Sequence, residues 1–273
     1  MAASLFFTLF PADCRICGSP LIEVSRLPVC HECLDGIRPL HGSFCGVCGE
    51  ALFSPAFIDR SDAVCGLCQR ARPLFEQAAA YGSYSSGLRD LIHLLKYRQV
   101  RPAANVLGRM LAEVIAGLEP RIPAGRIAVV PVALHPRKQS QRGFNQSELI
   151  AAAALKLLGK PERFELSSKA LVRTRETGSQ IGLTRHQRRE NLRGVFAVSR
   201  PEQILNHSVL LVDDVYTTGT TASECARVLR KAGAAQVWVA TVARTLKIAD
   251  LFAIPEEPAA EDRENAQVMA AHG

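Results

Sequence analysis

Val209-Leu-Leu-Val-Asp213-Asp214-Val-Tyr-Thr217-Thr218-Gly219-Thr220-Thr221 decides how the rest of the chain is read. Four consecutive apolar residues predict a strand buried on both faces, because only a sheet with one wet face has reason to alternate. Two carboxylates follow at the strand's end, where an open α/β sheet forms its ligand crevice. Thr217 to Thr221 make a small, hydroxyl-rich turn with one glycine, and Ala222 to Lys231 carries a helical pattern. Such a turn aims free backbone N–H groups and the positive end of a helix dipole at one spot, which suits a phosphate. Acids beside a phosphate cup would repel phosphate alone. A ligand that also offers hydroxyls to the acids, such as a phosphorylated ribose, reconciles the two.

With 273 residues the chain can hold one α/β domain plus something small. No run of eighteen apolar residues occurs, so no membrane-spanning helix is expected. Met1 to Phe10 is apolar but short, lacks a basic flank and runs straight into Pro11, so a signal peptide is not expected either. The net charge of +7 conceals an asymmetry, because Asp250 to Gly273 holds six acids and one Arg. Residues 1–249 therefore carry about +12, a balance that favours anionic ligands without choosing between phosphates and nucleic acid. Pro255, Pro258 and the acids around them predict a disordered tail over 247–273.

Eight of the nine cysteines fall in four pairs: Cys14 and Cys17, Cys30 and Cys33, Cys45 and Cys48, Cys65 and Cys68. Each Cys-x-x-Cys can present two thiolates from one knuckle, and two knuckles complete a tetrahedral zinc site. Gly18 and Gly49 follow the first and third pairs, where a knuckle turn calls for positive φ. Spacers of 12, 11 and 16 residues do not fix which knuckles share a metal; sequential pairing is favoured. A segment with so few large apolar residues draws its folding energy from the metal, and four thiolates leave no position open for water. The zinc is therefore expected to be structural, with residues 1–72 as the cysteine domain and 73–246 as the α/β domain.

Along that second domain, a strand is predicted at Ala78 to Tyr84 and an amphipathic helix at Ser86 to Tyr97, with Lys96 and Arg98 at its end. A second helix runs from Pro102 to about Leu118. Ile127 to Val132 is another buried strand, leading into a basic loop with Arg137, Lys138 and Arg142, then a helix from Glu148 to Leu158. Gly143 and Asn145 suit a tight turn capping that helix. Leu171 to Arg175 reads as part of a mobile arm, followed by a short helix capped by Thr184. Strands at Phe196 to Val198 and Gln236 to Val242 complete the pattern, and Cys225 is expected to be packed within its helix.

The strand, acid pair and Thr-Thr-Gly-Thr-Thr turn resemble the motif by which type I phosphoribosyltransferases bind 5-phosphoribosyl 1-pyrophosphate (PRPP). With the four knuckles, Leu95-Lys96-Tyr97-Arg98, the Pro131 to Lys138 stretch, Gln141-Arg-Gly-Phe-Asn-Gln146, Gln180, Gly182-Leu183 and Arg188-Arg-Glu-Asn191, the chain from about 10 to 245 resembles the ComF family. That resemblance implies a double zinc ribbon followed by a type I phosphoribosyltransferase-like parallel sheet flanked by helices. It also implies a link to natural competence and DNA uptake, with single-stranded DNA handled on the cytoplasmic side and competence proteins as partners.

Carried over, Asp213 and Asp214 would hold the ribose hydroxyls, and Thr217, Thr218, Gly219, Thr220 and Thr221 the 5′-phosphate. Lys96, Arg137, Lys138, Arg142, Arg173 and Arg175 would face the pyrophosphate, with Mg²⁺ between pyrophosphate and ribose oxygens. One departure matters. Purine-salvage relatives carry an Asp where this chain has Thr217, which disfavours a purine acceptor and leaves the acceptor unassigned. Three readings stay open: a pentosyl transferase, a PRPP-regulated module that binds single strands without turnover, and zinc ribbons that read nucleic acid on an inert scaffold. Few aromatics lie between the knuckles, which counts against the third.

Overall fold

A computed structural model describes residues 12–21, 25–52, 63–176 and 185–246. Five strands, β1 (Ala78–Ser83), β2 (Ile127–Pro131), β3 (Phe164–Leu166), β6 (Ser208–Tyr216) and β7 (Gln236–Arg244), form a sheet in the order β1-β7-β6-β2-β3 with every pair parallel. The unbroken apolar run puts β6 at its centre, where Val209, Leu210, Leu211 and Val212 are all fully buried. β4 (Leu171–Arg173) and β5 (Phe196–Val198) pair antiparallel in a separate two-stranded sheet.

The helices of the sheet domain are α3 (Ser86–Arg98), α4 (Ala103–Leu118), α5 (Pro136–Arg142), α6 (Gln146–Leu158), α7 (Arg185–Leu192) and α8 (Thr220–Lys231). Leu210 and Val212 join Val129 and Ala240 in a core layer built with α3, α4 and α6. Val209 and Leu211 turn the other way, into a layer with Val130, Val239 and the buried face of α8. Both faces of the sheet are therefore dry, which explains the missing alternation.

The cysteine segment contributes two short helices, α1 (His31–Asp35) and α2 (Gly66–Arg70). Its halves dock on opposite layers. Cys14, Leu27, Val29 and Ile37 extend the α3 side, whereas Cys45, Val47, Cys68 and Phe75 extend the α8 side. Backbone bonds fix both, from Leu40 N–H to the Tyr81 carbonyl and from Ala78 N–H to the Val47 carbonyl, each 2.7 Å. Gly49 (φ 69°) sits where a Cβ would lie 2.8 Å from the Ala78 carbonyl oxygen, so only glycine lets this knuckle approach the sheet.

Four expectations are corrected. The basic loop after β2 is the helix α5, because Pro136 opens it, His135 Nδ1 accepts from Arg137 N–H, and Gly143 (φ 72°) closes it. Leu171–Arg173 belongs to β4 rather than to a mobile arm, since β5 supplies its backbone partners, and β5 in turn lies outside the main sheet. The strand β6 continues beyond the acids to Tyr216, carried by β7, whose Arg244 pairs with Tyr216. Finally, β3 closes the sheet edge at a place where no strand was expected. The predicted Thr184 cap, Gln180, Gly182-Leu183 and the acidic tail over 247–273 lie outside the described residues.

Candidate functional site

Pro131, the last residue of β2, pairs with Val212, so Asp213 and Asp214 stand just past the end of the neighbouring strand. That step exposes a notch at the mouth of the sheet, and α6 begins beside it. Asn145 caps α6 by accepting from Ser147 N–H (3.0 Å), while its amide donates to the Val132 carbonyl (3.0 Å). The capped turn then presents two side chains to the acids: Ser147 Oγ donates to Asp213 Oδ1 (3.1 Å) and Gln146 Nε2 to Asp214 Oδ1 (3.4 Å).

From α3, the Lys96 ammonium forms an ion pair with Asp214 Oδ2. Asp214 is only 4% exposed, so a charge there is costly without a partner. Burial pushes against the Asp214 charge, but Lys96 wins and holds the carboxyl below the usual range. The same pairing holds Lys96 protonated against its own burial. Asp213 goes the other way: burial, then the neighbouring Asp214 charge, raises it to about 8. The pair thus carries about one negative charge near neutrality, with a proton on Asp213.

Three residues on, the backbone turns into α8. Gly219 (φ 73°) precedes the first helical residue, and a Cβ there would fall 2.1 Å from Tyr216 Oη. The Thr218 and Thr220 hydroxyls share a 2.8 Å hydrogen bond. The N–H groups of the first helical turn lack intrahelical acceptors, an arrangement that suits an anion. A cavity of about 650 Å³ opens alongside, walled by Thr217, Thr218 and Thr220 on one side and by Leu67, Cys68 and Leu74 on the other.

The six cations assigned to a pyrophosphate do not converge. Lys96 is held at Asp214, and Arg142 reaches the same carboxylate indirectly through Gln146 Oε1 (2.8 Å). Arg137 is exposed and meets Glu176 at 3.5 Å, with Lys138 beside it on α5. Arg173 lies 5.6 Å over the Phe196 ring, and burial lowers its pKa. Arg175 donates to the Asn191 and Arg193 carbonyls (3.2 and 3.3 Å) at the end of α7. A second cavity of about 600 Å³ separates β4 from the start of α5 and includes Lys169, Arg173 and Arg200 in its lining.

The cysteines gather as Cys14, Cys17, Cys30, Cys33 and as Cys45, Cys48, Cys65, Cys68, each set with its sulfurs within 4.8 Å of one another. Sulfurs on a tetrahedron around zinc stand about 3.8 Å apart. Cys17 and Cys30 lie at 3.7 Å, Cys14 and Cys33 at 3.9 Å, and Cys48 and Cys65 at 3.7 Å. Cys30 N–H and Cys65 N–H each point at a sulfur of the preceding knuckle (3.3 Å), as donors to a thiolate would. Both groups therefore fit structural zinc, and the knuckles pair in sequence. Gly18 (φ 76°) and Gly49 adopt the expected positive φ.

Sequence reasoning met Gln146 only within a family string and passed over Ser147, and it tied neither to the acids, which they touch across 68 and 66 residues. A helix start directly after a capping Asn was the available signal.

Comparison with known proteins matches residues 5–70 to a double zinc ribbon domain and residues 146–252 to a phosphoribosyl transferase domain. The chain is 32% identical over 239 residues to the DNA utilization protein YhgH of Salmonella typhi, covering 86% of this chain and 98% of that one. Competence protein F of Haemophilus influenzae is 29% identical over 245 residues, covering 88% and 98%. Competence protein ComFC of Bacillus subtilis is 24% identical over 220 residues, covering 76% and 80%. No helix among the described residues is long and apolar enough to cross a membrane.

Proposed function

The chain belongs to the ComF family, a double zinc ribbon joined to a phosphoribosyltransferase-type domain, and from that premise we propose that it binds PRPP across the mouth of its sheet. The observation that carries this reading is the acid pair, Asp214 buried and Asp213 partly so, already supplied with a cation and two donors and standing three residues before a left-handed turn at Gly219 that Tyr216 crowds. Asp213 and Asp214 accept from the ribose 2′- and 3′-hydroxyls. Thr217 to Thr221 take the 5′-phosphate through backbone N–H and hydroxyl groups. Lys96 and Arg142 sit on the side toward which the pyrophosphate extends. Arg137, Lys138, Arg173 and Arg175, which stand apart in this structure, complete the pyrophosphate set in this reading.

Mg²⁺ fits this donor set as a companion of the ligand. Asp214 Oδ2 is taken by Lys96, so the free carboxylate oxygens of Asp213 and Asp214 would hold the ion only in part, and the bound ligand's own oxygens would have to complete its shell. Bound there, Mg²⁺ would neutralise pyrophosphate charge.

Transfer would break the bond between C1′ and the pyrophosphate oxygen and form one from C1′ to a nucleophile. The chain's own part is to stabilise the leaving charge with Lys96 and Arg142 and to keep water from C1′. Thr217 offers no base toward a purine, which points to a nucleophile that arrives unprotonated or loses its proton elsewhere. The names of the relatives, a DNA utilization protein and a competence protein, support a role in DNA use; we infer that this protein works in the cytoplasm, handling single-stranded DNA with DNA-uptake proteins.

A second reading, a PRPP-regulated strand-binding module without turnover, is favoured by Arg142, which joins the acid pair to an exposed aromatic surface. Calorimetric titration with PRPP and Mg²⁺, followed by pyrophosphate release across base, amine and DNA acceptors, separates the two. Binding with release supports the transferase. Binding without release supports the module, and no binding removes both.

A further inference from the structure

At the C-terminal end of α3, Tyr97 is 63% exposed, the most exposed large apolar side chain among the described residues. It is not loose. The His93 ring meets it edge-on with centroids 5.1 Å apart, and His93 Nε2 shares a 3.0 Å hydrogen bond with Tyr84 Oη. On the Tyr97 ring, the Arg142 guanidinium lies 5.3 Å from the centroid. A matching stack, Arg101 at 5.3 Å over Phe144, ties the turn after α3 to the junction of α5 and α6.

Charge surrounds this ring. Arg98 and Arg101 are exposed, and Lys138 stands one helical turn before Arg142 on the same face of α5. Among the described residues, none of Arg98, Arg101 and Lys138 enters an ion pair, and the acid of α3, Asp90, is half-buried and lies two turns back. A rigid aromatic face among cations that, in the described residues, have no carboxylate partner matches the chemistry of unpaired nucleotides, with bases to stack and phosphates to neutralise.

We propose that Tyr97, framed by Arg98, Arg101, Lys138 and Arg142, is the platform on which this protein holds single-stranded DNA. The inference rests on the strand handling proposed above and gives it a surface. A base stacks on Tyr97 beside Arg142, and the flanking phosphates pass Arg98, Arg101 and Lys138. A duplex keeps its bases stacked on one another and cannot use the ring.

The test uses the full, zinc-loaded chain and a labelled oligothymidine of about 15 nucleotides, the length of a single-strand binding footprint. Tyr97→Ala is expected to weaken binding about tenfold, and Tyr97→Phe to keep it. Arg98→Ala with Arg101→Ala is expected to reduce the slope of log affinity against log salt by about 1.4, two phosphate contacts at about 0.7 each. Zinc content and thermal midpoint, measured on each variant, show that it is folded. If the wild-type chain binds no oligothymidine, the strand-handling reading falls and the platform with it. If wild type binds but Tyr97→Ala binds equally well, or a duplex of the same length binds as tightly, the platform alone is overturned.

Discussion

Asp213→Asn is expected to make the ligand-free protein more stable at pH 8 while abolishing its hold on a ribose. In the folded chain the Asp213 carboxyl is pushed up to about 8 by burial and by Asp214. An unfolded chain ionises it near pH 4. Between those values the unfolded state sheds a proton that the folded state keeps, so stability falls as pH rises, by up to about 1.4 kcal/mol per unit. From pH 6 to pH 8 the upper bound is about 2.7 kcal/mol; relaxation and water entry reduce this to about 1–2 kcal/mol. Asn keeps the oxygen that accepts from Ser147 Oγ (3.1 Å) and from Asp214 N–H (2.9 Å), so packing is preserved while the titration is removed. Thermal unfolding of zinc-loaded wild type and variant at pH 6 and pH 8 reads the difference. The midpoint gap between the two pH values should narrow in the variant by about 3–6 °C. An unchanged gap, or a variant equally destabilised at both pH values, would refute the reasoning.

Gly219→Ala places a methyl against Tyr216 Oη in a left-handed turn; it should cost about 1–3 kcal/mol in unfolding free energy and at least tenfold in PRPP affinity by calorimetry. Cys48→Ser should lower zinc from two ions to one by elemental analysis, leaving Cys14, Cys17, Cys30 and Cys33 loaded. Arg244→Ala removes a 2% exposed guanidinium that donates to the Cys48 carbonyl (2.6 Å), pairs with Glu50 (2.7 Å) and stacks on Tyr216; chemical denaturation should show a loss of about 3–5 kcal/mol.

What could be read from sequence was whatever repeats or runs locally. Val209 to Val212 announces a doubly covered strand because four neighbours all need burial. The knuckles announce themselves because one ion needs four sulfurs and each Cys-x-x-Cys supplies two. Pro136 to Arg142 has no apolar period at all, and α5 forms instead from its two capped ends, a signal of single residues rather than of pattern. Phe164–Leu166 buries one side chain in three, too little to register as a strand. The ion pair of Lys96 with Asp214 and the lock of Arg244 on Cys48 join residues far apart in the chain. Their charges were visible; their partners were decided by which core layer each element joined.

A crystal structure of the wild-type chain soaked with PRPP and Mg²⁺ tests the central claim most directly. The account predicts ribose hydroxyls within about 3 Å of the Asp213 and Asp214 carboxylates and the 5′-phosphate against the N–H groups of Thr217 to Thr221. A complex in which the sugar phosphate lies elsewhere, with both aspartates still satisfied only by Lys96, Gln146 and Ser147, would contradict it.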